Sequence, residues 1–174
     1  MDLWAVPVTD VRPLLTEERT DLVRLLSTLS HEEWAASSAA PGWTAKDLVL
    51  HILDDDLGWL SRGRDGDLSG LLVIDDHASF VKALAAKNQR WIDGAHGLSR
   101  QVLIDLLDWS GTQMDAYYAS MDLRGEGHVG WAGDDSVPVW FDVAQDLTER
   151  WVHQMQIREA VGRVDDFEIG RAHV

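Results

Sequence analysis

The sequence predicts an all-α fold: apolar residues recur at helical spacing in long segments, chain-breaking clusters separate those segments, and no run sustains a period-two alternation. No unit repeats and no stretch is low in complexity, so one domain is expected over residues 1–174. A chain of this size buries about 70 % of the surface its unfolded form exposes, enough for one sizeable core.

The first helix, over 12–29, follows from Leu14, Leu15, Leu22, Leu25, Leu26 and Leu29, with Glu17 and Glu18 near its start. Ser30 and Glu33 are spaced as a capping box and predict a helical turn over 30–34, after which Pro41-Gly42-Trp43 breaks the chain. Thr44, with Asp47 three residues on, caps a helix that runs through Ala45, Leu48, Val49, Ile52, Leu53, Leu57 and Leu60 into the turn cluster of 62–67. A further helix spans about Asp75 to Asp93, carries Phe80, Val81, Leu84 and Trp91, and ends before Gly94. Ser99 caps the next, which carries Val102, Leu103, Leu106, Leu107, Met114, Tyr117 and Tyr118, with Gly111 weakening its middle. The stretch 122–138, with four glycines and Pro138, reads as a loop longer than compact domains ordinarily carry without a functional reason. The last helix runs from Val139 to Val161 and is closed by Gly162. These helices argue for a bundle, with a short extra turn and a long loop before the last helix; bundles carry metal and ligand sites between facing helices.

Charge and composition exclude several classes. Thirty acidic against 15 basic residues give a formal charge of −15, which repels phosphate backbones and anionic membrane surfaces. Neither a nucleic acid nor a membrane is an expected partner, and the longest apolar runs are too short to cross a bilayer. The start, Met1 to Pro7, lacks the basic residues and apolar stretch of a secretory signal, so a cytoplasmic protein is expected. There is no cysteine, which removes disulfides, thiolate-held zinc and any protein thiol nucleophile. A metal would have to be held by His, Asp or Glu, and thiol chemistry would need a thiol supplied by a small molecule. Nucleotide-binding glycine loops and the GxSxG elbow are absent, and no carboxylate pair stands out as glycosidic.

Of seven histidines, His153 differs because Glu149 lies four residues before it, so both project from one helical face as two ligands of a small cation require. His51, in mid-helix, is the third candidate. Two nitrogens and a carboxylate leave coordination positions open for water or substrate. Hydropathy alone points elsewhere: the stripe Trp140, Ala144, Leu147 and Trp151 is centred nearly opposite Glu149, leaving Glu149 and His153 on a polar flank with Asp142 and Gln156. His51 falls on a similar flank with Asp47, Asp54 and Asp55. Both flanks read equally as solvated surface, and a metal site needs them to face each other across a cleft. The run Asp54-Asp55-Asp56 reads first as a solvated face; Asp55, four residues from His51, would alternatively orient that imidazole or complete the coordination sphere. The nine tryptophans are expected to fill a core.

The combination Trp34 … Pro41-Gly42-Trp43-Thr44-Ala45-Lys46-Asp47-Leu48-Val49-Leu50-His51 … Arg64-Asp65-Gly66 … Thr148-Glu149-Arg150-Trp151-Val152-His153-Gln154 … Ile157-Arg158-Glu159-Ala160-Val161-Gly162 resembles the metal-binding N-terminal domain of mycothiol-dependent maleylpyruvate isomerases, within the DinB/YfiT-like superfamily. The resemblance spans nearly the whole chain. It implies an antiparallel four-helix bundle, a divalent metal (zinc, or nickel) held by His51, Glu149 and His153, and a low-molecular-weight thiol cofactor such as mycothiol. The enzymatic reading that follows is transfer to, or isomerisation of, a small electrophile; in it Asp55, from its spacing, supports His51 and the long loop of 122–138 covers the cleft. Isomerases proper carry a further C-terminal domain that contributes to the active site, whereas this sequence stops at Val174, soon after the last helix. The other reading of the sequence is a non-catalytic bundle that binds a ligand or partner, as a monomer or a homodimer.

Overall fold

The computed structural model describes residues 2–74, 76–128 and 136–166. After a 3-10 turn at Leu3–Ala5, helix α1 runs over Arg12–Thr28, the single turn α2 over His31–Trp34, and α3 over Ala45–Trp59. Helix α3 continues into a π-helical turn, Leu60–Arg64, before α4 (His77–Ala95) and α5 (Arg100–Ser120). Two short strands, β1 (Glu126–His128) and β2 (Ser136–Pro138), pair antiparallel with Gly127 opposite Val137. Helix α6 (Val139–Ala160) and a 3-10 turn at Val164–Asp166 follow.

Local chemistry sets most of these limits. The expected capping box at Ser30 and Glu33 forms, and the expected Thr44 cap proves to be a second one: Ser30 accepts from the Glu33 amide and Thr44 from the Asp47 amide, while each acid returns to its cap's backbone. Ser99 caps α5 by accepting from Val102. Helix α4 is capped by Asp76 and runs through Gly94 to Ala95 instead of stopping before the glycine. The stretch 122–138 is not wholly loop, because β1 and β2 pair within it and tie back to the start of α6 through Val139 N–H to Gly125 O and Trp140 N–H to Leu123 O, both 3.0 Å. Residues 129–135, which the expected cover over the cleft would include, lie outside the described part.

Helix α1 packs against α5 and α6, and α3 packs against the same two, so these four helices contact one another in a closed ring. Helix α4 lies outside the ring against α3, where the Trp91 indole donates to the Leu50 carbonyl at 2.8 Å. Gly111 has a reason to interrupt α5: a Cβ there would stand 1.9 Å from Cδ of Arg19, whose guanidinium crosses α5 to pair with Asp115 at 2.5 Å. No helix among the described residues is long and apolar enough to cross a membrane.

The core has two apolar clusters. One gathers Leu22, Leu25 and Leu26 of α1, Leu48 to Leu53 of α3, Leu103 and Leu107 of α5, and Ile157 of α6. The other gathers Val11, Leu15, Leu60, Met114, Tyr118, Val139 and Val143. On all four ring helices the switch between clusters falls on buried polar residues: Glu18 and Asp21, Asp56, Ser110, and Asp146, Arg150 and Gln154. Arg150 pairs with both Asp56 and Asp146, Ser110 donates to Asp56 at 2.6 Å, Tyr118 donates to Asp146 at 2.8 Å, and Gln154 and Arg158 both donate to Asp21. The charges of Asp21, Asp56, Asp146, Arg150 and Arg158 are tolerated in the interior because each is paired there, whereas Glu18 is buried without a hydrogen-bond partner among the described residues.

This polar layer corrects three expectations. The apolar stripe expected on α6 holds only in part: Trp140 is buried and Ala144 and Leu147 pack against the second cluster, but Trp151 is 43 % exposed, and Val143, Asp146, Arg150, Gln154 and Ile157 are the residues turned fully inward. Asp56, expected to be solvated with its neighbours, is fully buried against Arg150. The tryptophans fill the core only in part: among those described Trp34 and Trp140 are buried and Trp43, Trp59 and Trp91 pack against the clusters half-buried, while Trp4, Trp109 and Trp151 are exposed.

Candidate metal centre

Because α6 turns its charged residues inward, Glu149 and His153 stand one position round the helix, at the edge of the ring facing α3. His51, 94 % buried on α3, meets them there. Its Nε2 lies 3.8 Å from Glu149 Oε1, and His153 Nε2 lies 3.1 Å from the same oxygen. The two imidazoles meet edge to face with centroids 4.8 Å apart. One ligand atom from each of the three residues lies within 4.8 Å of the others, and no other group of three or more His, Asp or Glu among the described residues converges in this way.

The surroundings orient these groups. His153 Nδ1–H donates to Gln156 Oε1 at 2.9 Å, which fixes the tautomer and turns the Nε2 lone pair toward Glu149. Two acceptors then face each other at 3.1 Å, an arrangement that requires either a proton or a cation between them. The Trp43 ring covers His51 with centroids 5.2 Å apart and is itself held by an indole hydrogen bond to Gln89 of α4. Asp55 Oδ2 stands 3.6 Å from His51 Nε2, the nitrogen that faces Glu149, and not at the other ring nitrogen. It therefore faces the space a cation would take, and His51 Nδ1 is buried without a hydrogen-bond partner among the described residues.

Protonation follows from this packing. The hydrogen bond to His153 first, and the nearby His51 imidazole second, hold the Glu149 carboxyl far below the usual range, outweighing the opposing effect of burial. Burial pulls His153 down, but its hydrogen bonds to Glu149 and Gln156 outweigh it and the net shift is upward. Burial pushes Asp55 up, the Glu149 charge adds to that, and His51 opposes it. Two imidazoles and a carboxylate suit a borderline divalent ion, and tetrahedral ligands about 2.1 Å from such an ion stand about 3.4 Å from one another, between the two separations seen here.

Two of the three, His51 and Glu149, line a cleft of about 1000 Å³. Asp54, Asp55, Asp142, Asp146 and Glu149 are among its lining residues, together with Phe80, Leu84 and the segment from Leu68 to Leu72. The residues behind the site, Asp56, Asp146, Arg150 and Gln156, were not singled out as functional from the sequence. For Asp146 and Arg150 the signal was the four-residue spacing of Asp142, Asp146, Arg150, Gln154 and Arg158, which on hydropathy grounds reads as a solvated face.

A sequence profile described as the mycothiol maleylpyruvate isomerase N-terminal domain matches residues 15–158. Two proteins described only as uncharacterized, from two strains of Mycobacterium tuberculosis, are each 27 % identical over 153 residues, covering 85 % of this chain and 55 % of their own. The chain thus spans about half the length of these curated relatives. The crystal structure of a mycothiol-dependent maleylpyruvate isomerase superposes with a TM-score of 0.64 at 16 % identity, over 94 % of this chain and 70 % of that one. A histidine-to-alanine mutant of such an isomerase gives 0.60 at 16 % identity over the same shares. At that identity the likeness is one of fold.

Proposed function

The chain belongs to the mycothiol maleylpyruvate isomerase N-terminal domain family, and from that premise we propose that it is a divalent-metal-dependent enzyme using a low-molecular-weight thiol. Mycothiol or a close relative is the thiol, and a small electrophile is the substrate, either isomerised or joined to the sulfur. The observation that carries this reading is the convergence of His51, Glu149 and His153 at the edge of a cleft in a chain without cysteine.

His51, Glu149 and His153 would hold the ion, zinc in the first place and nickel as the alternative. Bound there, it would supply the Lewis acidity that lowers the pKa of an incoming thiol. Gln156 keeps the His153 tautomer, and Trp43 shields His51 from water. Asp55, raised by burial and 3.6 Å from His51 Nε2, is the group that takes up the thiol proton. The cytoplasm, where small thiols stay reduced, is the compartment this chemistry needs.

The test is elemental analysis of protein purified without chelators, beside His51→Ala and His153→Ala, with thiol titration of the loaded form. Near-stoichiometric zinc or nickel that both variants lose is expected; unchanged metal in either variant removes the assignment. A second reading, a non-catalytic bundle that binds a partner or a second copy, has in its favour the exposed apolar residues Leu71, Val73 and Val81. Protein that takes up neither metal nor thiol would favour it.

A further inference from the structure

The cleft is lined by seven carboxylates and two cations, Lys87 and Arg62. Lys87 is committed, with its ammonium 3.2 Å from Asp54. Arg62 is not: no carboxylate among the described residues pairs with it, although seven line the same cleft. Its guanidinium carbon instead sits 4.6 Å from the centroid of the Trp59 ring.

Three features hold it there. The π-helical turn Leu60–Arg64, closed by the Asp65 amide bonding to the Leu60 carbonyl at 3.0 Å, widens the end of α3. Such turns cluster at functional sites. Trp59 supplies the ring beneath the guanidinium. Gly58 supplies the space, since a Cβ at that position would stand 2.8 Å from Arg62 Nη1. The side chain therefore folds back one turn along α3, toward His51. Residues 51, 55, 58 and 62 are spaced by four, three and four, so they share a face, and all four line the cleft. Gly58 is seven residues beyond His51, which puts the guanidinium about 10 Å along the helix axis from the metal candidates.

We propose that Arg62 is the carboxylate receptor of the cleft, and that the molecule bound there spans about 10 Å from a thiol or thiol-reactive end at His51, Glu149 and His153 to an anionic end at Arg62. The identity of the reacting end rests on the thiol-transfer reading above; the anion-binding end rests on Arg62, Trp59 and Gly58 alone. A planar guanidinium matches a carboxylate through two parallel hydrogen bonds, which a lysine in its place does not reproduce. Among the seven carboxylates that line the cleft it selects for position: an anionic group is accepted at the guanidinium and repelled elsewhere.

The experiment uses the zinc-loaded full chain and four probes: ω-mercapto-octanoate, ω-mercapto-octanol, octanoate and octanol. Calorimetric titrations are run on wild type, Arg62→Gln, Arg62→Lys and Gly58→Ala, with circular dichroism reporting that each variant is folded. The mercapto-acid is expected to bind about tenfold or more tightly than the mercapto-alcohol in wild type. That preference should vanish in Arg62→Gln, fall only partly in Arg62→Lys, and weaken in Gly58→Ala, whose new methyl displaces the guanidinium. Equal affinities for acid and alcohol in wild type, or a preference that survives Arg62→Gln, would overturn the proposal. If neither thiol binds, the thiol-transfer reading fails, and the preference for octanoate over octanol in wild type against Arg62→Gln still decides for or against Arg62.

Discussion

His153 and Gln156 are joined by a 2.9 Å hydrogen bond in which the ring Nδ1–H donates to the side-chain oxygen, and this bond leaves Nε2 as the nitrogen with a lone pair to offer. A ligating histidine whose other nitrogen is so engaged is fixed both in tautomer and in ring angle.

Gln156→Leu should therefore weaken metal binding by about 10- to 100-fold while leaving the helical fold in place. Chelator competition followed by metal analysis measures this. An unchanged affinity would mean that packing against His51 alone orients the ring.

Metal binding should also strengthen as pH rises. His153 has to lose its proton to bind a cation, and its pKa lies above the ordinary value of 6.5, whereas Glu149 is ionised throughout the working range. The metal-free protein runs the other way. A raised histidine contributes stability that is complete below its unfolded value of 6.5 and is lost as pH climbs through the folded value. Melting temperatures of the metal-free form should drop from slightly acidic to slightly alkaline pH, and those of the loaded form should not share this drop. Parallel curves would contradict the assignment.

Arg150→Met should destabilise the protein by about 3–5 kcal/mol, because it leaves the carboxylates of Asp56 and Asp146 buried without their cation. Urea unfolding gives the number, and a cost below 1 kcal/mol would show that the polar layer is held mainly by its neutral hydrogen bonds.

Glu18 is fully buried on α1, and neither carboxyl oxygen has a hydrogen-bond partner among the described residues. Desolvation first of all, against the pull of Arg150, raises its pKa from 4.5 to about 7. The folded state holds this proton more tightly than the unfolded one, so the group costs stability progressively above pH 4.5 and in full above about 7. Glu18→Met should recover up to about 3 kcal/mol at alkaline pH and nothing at acidic pH. Unfolding free energies of both proteins across that span provide the check, and a gain independent of pH would point to packing instead of titration.

The fold was legible where side chains act on their own backbone or on one face. Leucine spacing marked α1 and α3, and Ser30, Thr44 and Ser99 marked helix starts because a hydroxyl or carboxylate three residues from an orphan amide is a local event. The trio His51, Glu149 and His153 was legible partly from i,i+4 spacing and largely from the family motif. What hydropathy hid was the inward face of α6. A periodicity argument assumes that the buried side is the apolar one, and Asp146, Arg150 and Gln154 are buried because partners on α1, α3 and α5 neutralise or bond them. Those partners lie as far away in sequence as the 133 residues between Asp21 and Gln154, so no local window contains both members. Gln156 was placed on the correct flank, but its bond to His153 depends on a rotamer that spacing does not give.

The polar layer also acts as a depth gauge. Apolar side chains tolerate sliding, since one leucine serves much like another; the contacts of Arg150 with Asp56 and Asp146 do not. If α6 were displaced by one turn, about 5.4 Å, Arg150 would sit against an apolar cluster and its two carboxylates would be stranded. The same displacement would carry Glu149 and His153 past His51, beyond the reach of any shared ion. A row of charges inside the protein thus fixes the level at which two helices meet, and the three candidate ligands inherit their alignment from it.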